Sequence, residues 1–204
     1  MPHIKQIELL PLLPQVDNQA CYATHMAVGL LAIGMPKPPT PGQIDEIIAR
    51  QPDSPIFGIQ KRPFETWMLS HGLRLNVIKS RVPLPREYCQ EAATLPLEFG
   101  VAWHQEVNGA LDTYERKGTY QTHTVRRITS KVLQRALSIT PNTFVSVTVP
   151  ASNTTVHCMA VFSAQPRDVY CFNPGLPTSA LHKTTVEAVA QHLLQGTEII
   201  AISR

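Results

Sequence analysis

Cys21, His157 and Asn173 are the residues of this chain whose types and order could together perform nucleophilic chemistry. A cysteine attacks a carbonyl carbon as its thiolate, and a histidine within hydrogen-bond reach can take its proton and later protonate the leaving group. A third polar group holds the imidazole in one tautomer. We therefore predict Cys21 as the nucleophile, His157 as the general base and Asn173 as the residue that orients the histidine.

Cys21 differs from the other three cysteines in its local sequence. It stands at the start of a predicted helix over 20–33, which is rich in Ala, Met, Val and Leu and contains no proline. Unpaired N–H groups and the helix dipole at that end favour negative charge, so a thiolate forms more readily there. Cys158 and Cys171 lie within predicted strands and Cys89 lies within a predicted polar helix, and we expect all three to be ordinary free thiols.

The other two candidates occur in apolar runs near the end of the chain. His157 stands in the run 156–161, and Asn173 follows the next run, 168–172, directly ahead of a Pro-Gly pair. Two neighbouring antiparallel strands could set these side chains together, with the amide oxygen accepting a hydrogen bond from the imidazole. Each residue alone also has a plainer explanation, since a strand histidine is often a core residue and Asn-Pro-Gly is a turn sequence.

Acyl transfer also requires a preorganised donor for the developing oxyanion. Gln15 lies six residues before Cys21, on a segment that Pro11 and Pro14 predict to be extended. Its amide could converge with the backbone N–H of Cys21. Gln19, two residues before the cysteine, is the competing donor, and either glutamine could instead cap the helix.

The helices and strands that must position these residues can be predicted from local patterns along the chain. Thr40, Pro41 and Gln43 predict a capped second helix. The remaining pattern predicts helices near 64–70, 86–94, 125–137 and 182–194, and strands near 73–78, 143–149, 156–162, 168–172 and 198–202. This order predicts an α+β fold in a single domain spanning 1–204, with an N-terminal helical lobe and a C-terminal antiparallel β-sheet.

Composition argues against several classes of function. The 204-residue chain is 43% hydrophobic with a net charge of +3, and its basic and acidic residues are mixed, so we expect no nucleic-acid partner. No apolar stretch approaches the roughly 20 residues of a membrane span. The N-terminal residues lack a signal-peptide pattern, which predicts a cytoplasmic protein or one exported by a signal-independent route. The oligomeric state is left open by the sequence.

A metal site and a cofactor site are both disfavoured. Cys21, His25, His157 and Cys158 could be drawn as a zinc set, but adjacent strand residues point to opposite faces, so we expect no metal there. His25 is more consistent with a core residue behind Cys21. The sequence contains no phosphate loop and no dinucleotide fingerprint, and we predict no cofactor.

The segment 13–23 (LPQVDNQACYA), followed later by His157 and Asn173, resembles the active-site pattern of papain-like cysteine peptidases. It is particularly similar to the bacterial branch that includes the peptidase-C39-like proteins and the AvrRpt2-type effector proteases. The resemblance implies a papain-like fold, a Cys-His-Asn triad with Gln15 at the oxyanion hole, and a protein or peptide substrate. It further implies a thiol protease acting on peptide or isopeptide bonds, which would fit a secreted bacterial effector with a role in virulence.

Two positions depart from that pattern, and the acyl acceptor stays open. Tyr22 stands where the family often has Gly or Trp, and Asn173 stands where the bacterial branch more often has Asp. The same triad would also serve a glutamine deamidase, a transglutaminase-like enzyme or an acyltransferase. A different class of explanation is an inactive papain-like domain retained for binding. It is disfavoured because all four catalytic positions carry competent residue types.

Overall fold

The computed structural model describes residues 21–49, 61–86, 101–151, 156–163, 168–174 and 181–204, which contain six helices and seven strands. The helices are α1 (Cys21–Ala32), α2 (Pro41–Ala49), α3 (Lys61–Ser70), α4 (Val101–Arg116), α5 (Ser130–Leu137) and α6 (Val186–His192). The strands are β1 (Arg74–Ser80), β2 (Tyr120–Val125), β3 (Thr143–Pro150), β4 (Val156–Ser163), β5 (Asp168–Phe172), β6 (Leu181–Thr185) and β7 (Glu198–Ser203).

All seven of these strands form one sheet, in the order β2-β1-β7-β3-β4-β5-β6. β1 and β2 are parallel, joined through a connection that contains α4, and the remaining neighbours are antiparallel. The predicted α+β class is therefore confirmed. The prediction of a purely antiparallel, C-terminal sheet is wrong, because β1 enters the sheet from the N-terminal half and pairs in parallel with β2.

Helices cover both faces of the sheet. We call the face that packs against α1 to α4 the α1 face, and the opposite face, which packs against α5 and α6, the α6 face. Successive strand side chains alternate between the faces, so Ala160 and Phe162 of β4 lie on the α1 face and Val161 lies on the α6 face. The predicted separation of a helical lobe from a sheet lobe is replaced by a layered arrangement in the part of the chain described.

The helix α1 is buried along nearly its whole length. Its sequence is apolar on every side, which is typical of a helix enclosed by the core. Gly29 lets it approach β3 closely, because a Cβ atom there would lie 2.3 Å from the Phe144 ring. Gly34 ends the helix at φ 82°, with its own N–H donating to the Leu31 carbonyl and the Met35 N–H donating to Leu30.

The predicted capping box of the second helix is present. The backbone N–H of Thr40 donates to Oε1 of Gln43 at 2.9 Å, and the N–H of Gln43 donates back to Oγ1 of Thr40 at 3.3 Å. These reciprocal bonds satisfy donors that would otherwise lack partners at the start of α2. The third predicted helix is also found, as α3.

Two predicted helices begin too early. Residues 181–185 form the edge strand β6, and α6 starts only after Thr185, whose hydroxyl accepts a hydrogen bond from the Ala188 N–H. Val125 likewise ends β2, and α5 starts after its own cap, Thr129. Most of the predicted helix at 86–94 lies outside the described residues, as does the extended N-terminal segment with Pro11 and Pro14. The helices that are described are each too short or too polar to cross a bilayer.

Candidate active site

Cys21 is the first residue of α1, the position that the sequence assigned to it. Its side chain is 7% exposed and belongs to the core cluster between α1 and the sheet. The N–H groups of a first helical turn have no partner within the helix, so they favour a thiolate at this end. The two predicted oxyanion donors, Gln15 and Gln19, lie outside the described residues.

His157 and Asn173 are brought together by the pairing of β4 with β5. His157 is the second residue of β4, and Asn173 directly follows the last residue of β5. Nε2 of the imidazole lies 2.5 Å from Oδ1 of the amide. Because an amide oxygen can only accept, Nε2 carries the proton of this bond, and Nδ1 is the ring nitrogen left to face Cys21.

The hydrogen-bond partners of Cys21 strongly favour its ionised form. A hydrogen bond from the Cys158 thiol lowers the pKa of Cys21 most, with further lowering by His157, the Cys158 backbone and the charge of His25. Burial acts in the opposite direction, but the combined effect brings the pKa of Cys21 from 9.0 to about 4. Donors aimed at a thiolate therefore outweigh the cost of desolvating it.

Cys158 is a site residue that the sequence did not reveal. It is 4% exposed and lies on the α1 face, in the same cluster as Cys21. By strand alternation its neighbour His157 belongs to the opposite face. Both nevertheless interact with Cys21, His157 from the second position of β4. The two side chains lie on opposite faces, and alternation does not prevent both from interacting with Cys21.

A buried histidine, His25, holds the backbone of Cys21. Nδ1 of His25 lies 2.9 Å from the Cys21 carbonyl oxygen, and Nε2 lies 2.8 Å from Oγ of Ser146 on β3. A carbonyl oxygen only accepts, so Nδ1 is protonated. The ring also meets Tyr22 edge-on, with centroids 5.2 Å apart. These contacts tie the first turn of α1 to the sheet. The spacing of four residues between Cys21 and His25 was the available sequence signal.

A cavity of about 540 Å³ opens beside the His157–Asn173 pair. It lies on the α6 face, and Asn173 lines it together with Val149, Met159 and Cys171. Polar side chains of β6 and α6, including His182, complete its wall. A smaller cavity of about 350 Å³ is lined by the end of β1, the start of β7 and the two residues before β7, and it contains none of the predicted site residues.

Among the described residues, no three His, Cys, Asp or Glu side chains are arranged to hold a metal ion. The groups around Cys21 instead provide a thiolate, an imidazole in a fixed tautomer and a backbone donor at a helix start. Such an arrangement can perform nucleophilic attack followed by proton transfer to a leaving group.

Comparisons with known proteins do not assign this chain to a family. A scan against models of protein families found no match. A search of curated proteins found no significant match either.

Proposed function

We propose that this protein is a cysteine hydrolase of papain-like type, and specifically a peptidase acting on peptide or isopeptide bonds. The observation that carries the proposal is the chain of contacts from Cys21, at the start of α1, to His157 and on to Asn173. This is the order of nucleophile, base and orienting residue that acyl transfer by a thiol requires. No separate cofactor is needed for it.

In the first half-reaction the Cys21 thiolate attacks the carbonyl carbon of the scissile bond. Nδ1 of His157 is the ring nitrogen that faces the sulfur, so it delivers the proton to the departing amine. Asn173 accepts from Nε2 throughout, which keeps the ring in plane and in the productive tautomer. The product of this step is a thioester on Cys21.

In the second half-reaction the imidazole, now neutral, takes a proton from water as the water attacks the thioester. The oxyanion of both tetrahedral intermediates would accept hydrogen bonds from the backbone N–H of Cys21 and the side-chain amide of Gln15. Gln19 is the alternative donor. If an amine replaces water as the acceptor, the same residues catalyse transamidation. A primary amide of glutamine as the acyl donor would give deamidation.

The papain-like fold is part of the proposal. Its support is a buried helix that begins at the nucleophile and packs on the strand that carries the histidine. The partner that this site predicts is a protein or a peptide. A role as a secreted bacterial effector is the biological setting we propose.

The decisive experiment requires no substrate. At pH 6 an ordinary thiol is almost wholly protonated, whereas a thiol with a pKa of about 4 is ionised. Brief treatment with iodoacetamide at pH 6 should therefore label Cys21 and leave Cys89, Cys158 and Cys171 largely unmodified. Peptide mass mapping of the labelled protein measures this directly.

Two histidine variants complete the experiment. His157→Ala removes a donor to the thiolate and should slow labelling of Cys21 at pH 6. His123→Ala, which changes an exposed histidine on the distant strand β2, should leave the labelling rate unchanged. Labelling that is slow at pH 6, rises with pH and is the same in His157→Ala would exclude Cys21 as the nucleophile and favour an inactive binding domain.

A further inference from the structure

The Cys158 side chain hydrogen-bonds to Cys21, and both thiols lie in the core cluster between α1 and the sheet. We propose that this pair closes reversibly to a disulfide under oxidation by a peroxide, with Cys158 acting as the resolving thiol for Cys21. Closure would remove the nucleophile and so switch the enzyme off, a consequence that rests on the function proposed above. The disulfide itself rests on the contact and on the reactivity of Cys21.

The surrounding structure holds both sulfur atoms in place. Cys158 lies within β4 and pairs with Thr148 of β3, so its backbone is fixed by the sheet. The backbone of Cys21 is fixed by the bond between its carbonyl and His25, which is anchored in turn on Ser146. Both thiols are nearly excluded from solvent and lie in one core cluster. Closure requires the two sulfur atoms to move from hydrogen-bond contact to the ~2.05 Å of an S–S bond.

The chemistry balances with hydrogen peroxide as the oxidant. The Cys21 thiolate attacks one peroxide oxygen and breaks the O–O bond, which gives a sulfenic acid on Cys21 and a hydroxide that is protonated to water. The Cys158 sulfur then attacks the Cys21 sulfur, the S–S bond forms, and the hydroxyl leaves as water with the Cys158 proton. Two thiols are oxidised and one peroxide is reduced to two waters. A dithiol reductant reverses the closure by exchange.

Cys171 provides the internal comparison. It is also buried and lies one strand away, but its side chain is on the α6 face, on the opposite side of the sheet from Cys21. It cannot meet the Cys21 sulfur without breaking the sheet. Its neighbourhood also leaves it protonated, since burial raises the pKa of Cys171 to about 12. It should take no part in the exchange.

The test treats the reduced, full-length protein with graded hydrogen peroxide, blocks the remaining thiols and maps peptides without reduction. The parent protein should yield a cross-linked peptide pair joining Cys21 to Cys158 and should lose iodoacetamide labelling of Cys21 at pH 6. Dithiothreitol should restore that labelling. In Cys158→Ser, which keeps a hydrogen-bond donor to the thiolate but cannot close, Cys21 should proceed to sulfinic acid, and dithiothreitol should not restore labelling.

Cys171→Ser is the matched control and should form the same cross-link as the parent. Should Cys158→Ser fail to fold by circular dichroism, Cys158→Ala replaces it, and the parent peptide map remains decisive by itself. Sulfinic acid at Cys21 of the parent without a cross-link overturns the proposal, and so does a disulfide to Cys89 or between molecules. A cross-linked protein that hydrolyses no peptide when reduced would refute the proposed function and leave this inference standing.

Discussion

The two faces of the sheet hold buried cysteines of opposite character. On the α1 face, donors from Cys158 and His157 lower the pKa of Cys21 to about 4, although its side chain is only 7% exposed. On the α6 face Cys171 is 1% exposed, and burial alone raises its pKa to about 12. The two side chains are thus almost equally buried, and the neighbouring groups decide whether each thiol is ionised. A buried thiol becomes reactive when fixed donors surround the sulfur, and it stays inert without them.

The site occurs where the two faces meet. Within β4 and β5, His157 and Asn173 belong by alternation to the α6 face, where Asn173 also lines the larger cavity. Both stand at the ends of their strands, so the start of α1 can meet the imidazole from the other side. The Cys21 sulfur on one face is thereby joined to the imidazole and the amide on the other.

The largest expected difference between the faces is in activity. Cys21→Ala should lower kcat/KM for peptide hydrolysis by roughly 10⁴ or more, the size of loss found when a catalytic nucleophile is removed. Cys171→Ala removes one sulfur on the α6 face and should leave kcat/KM unchanged. A library of quenched fluorescent peptides measures both variants against the parent. Equal activity in the parent and in Cys21→Ala would show that any hydrolysis arises elsewhere.

A smaller effect should come from Asn173, which links the imidazole to the α6 face. Asn173→Ala leaves Nε2 without its acceptor, and we expect kcat/KM to fall by about 10–100-fold, the size of loss found when the group that orients a metal-bound histidine is removed. His157→Ala should lower kcat/KM further. Asn173→Asp keeps a hydrogen-bond acceptor and should retain substantial activity. Gln191→Ala alters the same cavity without touching the imidazole and serves as the control. If Asn173→Ala is as active as the parent, Asn173 is a turn residue and no more.

Local signals in the sequence were sufficient to predict the helices and strands on which the candidate site residues lie. The capping box at Thr40 and the glycine stop at Gly34 depend on a few adjacent residues, and both are present. The meeting of His157 with Asn173 followed from two short apolar runs that pair as neighbouring strands. Contacts of this kind can be read from a single sequence because short-range geometry determines them.

The remaining features depend on long-range pairing. The parallel pairing of β1 with β2 joins strands that α4 separates in the sequence. The residues of either strand do not indicate which strand it pairs with. The polar edge strand β6 resembles the start of a helix until its pairing with β5 is known. The role of Cys158 depends on the tertiary position of α1, which decides which side chains meet Cys21 and which no local pattern in the sequence specifies.

The two cysteines should also give opposite dependences of stability on pH. The pKa of Cys21 falls from 9.0 to about 4 on folding, so between about pH 4 and pH 9 the folded chain has lost a proton that the unfolded chain keeps. Its contribution to stability is present above pH 9 and disappears as the pH falls to about 4. The pKa of Cys171 rises from 9.0 to about 12, so its contribution is present below pH 9 and is lost as the pH rises towards 12.

The smallest predicted effect is the pH dependence of stability that the lowered pKa of Cys21 causes. It is best measured between pH 5 and pH 6. In that interval the free energy of unfolding of the parent should increase by up to about 1.4 kcal/mol more than that of Cys21→Ser, since one proton separates the folded and unfolded states at Cys21. Cys171→Ser should keep the slope of the parent, because both of its states remain protonated there. Urea unfolding followed by tryptophan fluorescence provides the free energies. Parallel slopes for the parent and Cys21→Ser would mean that the thiolate is not preformed, and the contrast between the two faces would then be one of packing alone.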